Sequence, residues 1–121
     1  VEDGLRAGLF SLDDVKQVKL LRDVYETLEK KYKNIEPARL IHEARRRLIH
    51  RMCDDLSGEV KRRVKASGVE TADDVRRAKK PMAGFSKEML SHLEEIRTFL
   101  YGVMYKHYKV NRMTSKARRL V

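Results

Sequence analysis

The chain has 121 residues, enough for one small domain with a modest core. Hydrophobic residues make up 41% and charged ones 38%, too apolar for a disordered tail and too broken by charge for a membrane span. Lys and Arg number 28 against 18 Asp and Glu, a net charge of +10, and the single Cys53 excludes a disulfide framework or a zinc site built on paired cysteines.

With only 6 Gly and 2 Pro, few turns and long helices are expected, and the predicted fold class is all-α. Residues Val1 to Gly8 read as the end of a helix, with Gly8 as its stop. Ser11-Leu12-Asp13-Asp14 reads as an N-cap followed by first-turn acids and predicts a short helix over 12–17. Leu20, Leu21, Val24, Tyr25, Leu28 and Tyr32 then recur on one helical face. Asn34 and Glu36-Pro37 end that pattern, and Pro37 suits the first position of a new helix.

The next helix is predicted to be the longest, over 37–67. Ile41, Ala44, Leu48, Met52 and Leu56 form its stripe, and Val60 and Val64 continue it in steps of four. Such a stripe drifts by about 40° per step at 3.6 residues per turn. A bend or break near Ser57-Gly58 is therefore expected, with Ser67-Gly68 as the stop. Thr71 caps a short helix reaching about Lys79, Pro81 and Gly84 mark a loop, and Ser86 caps a second long helix over 87–108. Its line is Met89, Leu93, Ile96, Leu100 and Val103, with Phe99, Tyr101 and Tyr105 on other faces, so it is expected at the centre of the packing. The last residues, Ala117 to Val121, read as helix with no stop. Both ends therefore look cut from a longer chain. No run alternates with period two, and no signal peptide is recognisable, so a reduced cytoplasmic setting is expected.

The charge is uneven. Residues 1–35 are neutral, 36–68 carry +4, 69–95 carry −1, and 96–121 hold 7 basic groups and no carboxylate. A surplus placed like this suits an anionic neighbour: nucleotide phosphate, nucleic acid or an acidic protein surface. Lys106, His107, Lys109, Asn111 and Arg112 are the candidates, and a helix continuing through them would bring Lys106, Lys109 and Arg112 near one face. Arg112 could hold phosphate with two parallel bonds and Asn111 could add a directional one. Tyr101, Tyr105 and Tyr108 interleave with this charge, as in base-stacking surfaces, although tyrosines on a central helix more often pack.

Elsewhere the bland readings weigh more. Arg45-Arg46-Arg47 with Arg51 reads as a solvated face pairing with Glu43, Asp54 or Asp55. Lys61-Arg62-Arg63 with Lys65 reads likewise. His42 and His50, two turns apart, cannot share a metal unaided, and there is no Gly-rich phosphate loop, HExxH or CxxC. No catalytic or metal-ligating residue is assigned.

Thr98 to Met113, reading TFLYGVMYKHYKVNRM, is the most distinctive stretch. It resembles the C-terminal part of bacterial dGTPase-like deoxynucleoside triphosphate triphosphohydrolases of the HD superfamily. Glu2-Asp3-Gly4-Leu5-Arg6-Ala7-Gly8 is similar to the segment closing the family's HD core. Leu40–Glu43 with Arg47–Met52 resembles the long helix that follows, and Val75-Arg76 to Pro81 with Phe85–Met89 resembles the connection to the last helix. The resemblance covers essentially the whole chain. It implies that residues 1–10 end a truncated HD core and that 11–121 form the helical, phosphohydrolase-associated domain. Leu5, Leu9 and Phe10 would then lie at a boundary that this chain covers only in part.

The family's metal ligands, a His, a His-Asp pair and a further Asp, lie upstream of the matched segments, so none is carried onto a residue here. The resemblance implies a parent enzyme that cleaves a dNTP to deoxynucleoside and triphosphate with a divalent metal in its core. Alone, this chain would be inactive and cofactor-free. Its partners would be the HD core of the same polypeptide, further copies in a homo-oligomer, and dNTP through the parent. The alternative is an independent basic helical module that binds nucleic acid, although no helix-turn-helix pattern supports it.

Overall fold

The computed structural model describes residues 1–120, and over them the chain is all-α, with no strand. Seven α-helices follow in order: α1 Glu2–Arg6, α2 Leu12–Val15, α3 Lys19–Lys31, α4 Pro37–Ser67, α5 Ala72–Arg77, α6 Lys87–Leu100 and α7 Tyr108–Leu120. A π-helical segment, Tyr101–Tyr105, joins the last two.

The local signals act where the sequence places them. Ser11 accepts from Asp14 N–H at 3.2 Å while Asp14 accepts from Ser11 N–H at 2.8 Å, a reciprocal box. Thr71 and Asp74 repeat it at 3.2 and 2.9 Å. Pro37 opens α4. Gly68, at φ 66°, closes it in the left-handed region that costs other residues energy.

The core is built around α3. Leu20, Leu21, Val24, Tyr25 and Leu28 are all buried there, and Val15, Val18, Leu40 and Ala44 close over them. Fully burying a side chain of this size contributes about 1.5–3 kcal/mol, so this face dominates the stability of the described chain. The expectation that the last long helix sits at the centre is overturned. Of α6 only Met89 is buried, and Tyr101 and Tyr105 are more than half exposed, at 58% and 55%. α6 instead covers one side of the core through the half-buried Ile96, Phe99 and Leu100. Its Glu95 accepts from Lys19 N–H at 3.2 Å, serving an amide that Val18, at the N-cap of α3, has no side-chain acceptor to satisfy.

The boundary expected at Leu5, Leu9 and Phe10 is covered in part: Phe10 is buried and meets Phe99 edge to face with centroids 5.4 Å apart. Gly4 on α1 allows this, because a Cβ there would overlap the Phe10 ring. Leu5 and Leu9 are half-buried against the same core.

α4 does not break at Ser57-Gly58; it runs 31 residues unbroken. The drifting stripe is accommodated by a change of partner along the helix. Leu40, Ala44 and Leu48 face the α3 core. Further on, Asp55 accepts from Ser86 N–H at 2.9 Å and from its hydroxyl at 2.6 Å, fixing the start of α6. Arg63 then donates to the carbonyls of Pro81 and Phe85, each at 3.2 Å.

Candidate functional site

The candidate residues lie at the joint between the π-helical segment and α7. A helix continuing from 87 to 108 was expected. The α-helix instead ends at Leu100, the π-helical segment ends at Tyr105, and the chain restarts at Tyr108. A π turn adds a residue and shifts the phase of everything beyond it.

His107 makes the restart. Its carbonyl accepts from Asn111 N–H at 3.0 Å, and its ring Nδ1 accepts from Lys109 N–H at 3.3 Å. The ring thus serves the place of an N-cap, and with Nδ1 as acceptor the ring proton sits on Nε2. The ring also lies 4.9 Å from that of Tyr108, tilted by 31°. Asn111 Nδ2 donates to the carbonyl of Lys106 at 3.1 Å, closing the joint from the other side. Lys106 Nζ stands 4.9 Å over the ring of Tyr101, back along the chain.

The five candidates are therefore not one cluster. Lys109 and Arg112 share a face of α7. Lys106 turns back to Tyr101, and the side chains of His107 and Asn111 are engaged with backbone. At about 100° per residue, Lys116 and Arg119 fall on the arc of Lys109 and Arg112, and Val110, Met113, Ala117 and Leu120 fall on the arc beside it. Both arcs are open: Met113 is 65% and Leu120 89% exposed. Among the described residues Lys106, Lys109, Arg112, Lys116, Arg118 and Arg119 form no ion pair.

In the other basic runs Arg45, Arg46, Arg62 and Arg63 find partners. Arg46 pairs with Glu43 at 3.3 Å, as the spacing suggests. Arg45 reaches out of its helix to Glu2 at 2.7 Å and lies 3.0 Å from His42 Nδ1, tying α1 to α4. His50 sits 3.2 Å from Asp54, and Cys53 is exposed and free. Glu59 accepts from Arg62 at 2.7 and 2.8 Å and from Arg63 at 2.9 Å. The Arg62 bonds, then those of Arg63, hold its carboxyl down at about 2. Among the described residues no three His, Cys, Asp or Glu side chains lie together as metal ligands would.

The π-helical segment was not legible in the sequence. Gly102, a weak point within a run of bulky residues, was its one available signal.

Residues 83–121 match the family described as phosphohydrolase-associated domain. The whole chain is similar to deoxyguanosinetriphosphate triphosphohydrolase-like proteins. It is 42% identical over 121 residues to the one from Parvibaculum lavamentivorans, 44% over 122 to that from Caulobacter vibrioides, and 38% over 121 to that from Bordetella pertussis. The alignments cover 100% of this chain and 31% of each of these relatives. The family resemblance drawn from the sequence therefore holds along the full chain.

Proposed function

We propose that this chain is the helical domain of a larger dGTPase-like polypeptide. In this reading a separate HD core carries the divalent metal and cleaves a dNTP to deoxynucleoside and triphosphate. The observation that carries it is the unbroken similarity of all 121 residues to about a third of each triphosphohydrolase-like relative. Residues 1–10 would close the HD core, and 11–121 would buttress it. The exposed apolar arc of α7 suits a contact with that core or with a second copy.

Lys109 and Arg112 would face nucleotide phosphate from the neighbouring arc, with Lys106 nearby and His107 and Asn111 holding the joint in shape. Phosphate held by a guanidinium is worth about 1.5–3 kcal/mol. In a polypeptide of the relatives' length, Arg112→Ala should weaken dGTP binding about tenfold or more, with the melting temperature unchanged. A lowered melting temperature with unchanged nucleotide affinity would instead make the arm a structural clamp. The same polypeptide should release triphosphate from dGTP with a divalent metal, and this chain alone should not.

A second reading, a nucleic-acid-binding module, draws on the unpaired Lys109, Arg112, Lys116 and Arg119 arc with its exposed tyrosines. It requires this chain alone to bind single-stranded DNA with a steep loss on added salt.

A further inference from the structure

A cavity lies away from the α7 arm. It occupies about 940 Å³ between the second half of α4, α5 and the 78–87 loop. Its lining includes six cationic side chains, Arg62, Arg63, Arg77, Lys79, Lys80 and Lys87, against two carboxylates, Glu59 and Asp74.

Both carboxylates are already spent. Glu59 is held by Arg62 and Arg63. Asp74 accepts from the Thr71 hydroxyl at 2.7 Å and from the Thr71 and Glu70 amides at 2.9 and 3.3 Å, and these bonds, the hydroxyl's foremost, lower its pKa. By contrast Arg77, Lys79, Lys80 and Lys87 have no side-chain hydrogen bond or ion pair to any described residue. The walls are also fixed in advance. Arg63 spans the loop from Pro81 O to Phe85 O, and Gly84 lets it approach, since a Cβ there would meet the guanidinium at 2.6 Å. Val69, Pro81 and Met82 add apolar surface to the lining.

A cavity of this size, with both cationic and apolar side chains in its lining, suits an organic polyphosphate. The geometry points to this cavity as a binding site for such a molecule, with Arg77, Lys79, Lys80 and Lys87 neutralising its phosphates and Val69, Pro81 and Met82 packing its organic part. The arm residues Lys109 and Arg112 take no part in it.

Titration calorimetry on the 121-residue chain, with ATP and inorganic triphosphate as separate probes, tests this. ATP should bind one to one and more tightly than triphosphate. Arg77→Ala with Lys80→Ala should weaken it tenfold or more. The charge-matched pair Arg22→Ala with Lys30→Ala, both exposed on α3, should change it less than twofold, with helicity by circular dichroism retained in both. Equal weakening by the two pairs would show diffuse charge attraction and overturn the site. Equal affinity for the two probes, or no heat at millimolar concentrations of either, would overturn it as well.

Discussion

Among the described residues, ten of the eleven buried apolar ones lie before residue 45, and only Met89 lies beyond it. Yet the apolar periodicity of 87–103 reads at least as well as that of 20–32 in the sequence. The difference lies in partners. α3 is enclosed by α2, α4 and the side of α6, whereas α7 contacts little besides the π-helical segment that precedes it. Apolar spacing sets which face of a helix is prepared for burial, and the rest of the fold decides whether it is buried. The unburied face here is also the part with unpaired positive charge.

The sharpest way to break this contrast is by truncation in each region. Leu28→Ala in α3 should cost about 3–4 kcal/mol, as a fully enclosed leucine loses both transfer energy and packing. Met113→Ala in α7 should cost less than about 0.5 kcal/mol. Urea denaturation of the two variants measures both. A comparable loss from Met113→Ala would mean that α7 is packed as firmly as α3.

Gly4→Ala is expected next in size. The added methyl must push the Phe10 ring off Phe99, at about 1–3 kcal/mol. Phe99 ring signals by NMR should shift with it. Unchanged signals would show that α1 yields instead.

His107→Ala should cost about 1 kcal/mol, the usual worth of an N-cap acceptor. The loss should appear in the amide shifts of Tyr108 to Arg112 and leave the melting of the α3 core alone. His107→Asn, which restores a short acceptor, should recover most of it.

The smallest effect concerns acid. The Glu59 carboxyl is held at about 2, below its ordinary 4.5, so its contribution is complete above about 4.5 and disappears as pH falls through about 2. Carboxyl NMR should report that low midpoint, and Arg62→Gln with Arg63→Gln should return it toward 4.5.

Much of this architecture was legible residue by residue. Ser11, Thr71 and Ser86 cap where their side chains meet first-turn amides, and Pro37 and Gly68 bound α4, because these signals act within four residues of themselves. The continuity of α4 was not legible. A drifting stripe implies a break only against one straight partner, and here Asp55 and Arg63 meet a different one, 31 and up to 22 residues away in sequence. The candidate site was half legible. Lys109 and Arg112 share a face as their spacing requires, but the non-helical break at Lys106-His107 detaches Lys106 from them. The cationic cavity escaped the sequence reading because its residues come from separate segments, and the one basic run noticed among them, Lys61-Arg62-Arg63, reads as a solvated face.

Hydrogen exchange on the isolated chain tests the central contrast most directly. Amides of Leu21 to Leu28 should exchange only through global unfolding, and those of Asn111 to Leu120 through local opening, about a thousandfold faster or more. Equal protection in α3 and α7 would contradict the division into an enclosed core and an uncovered arm.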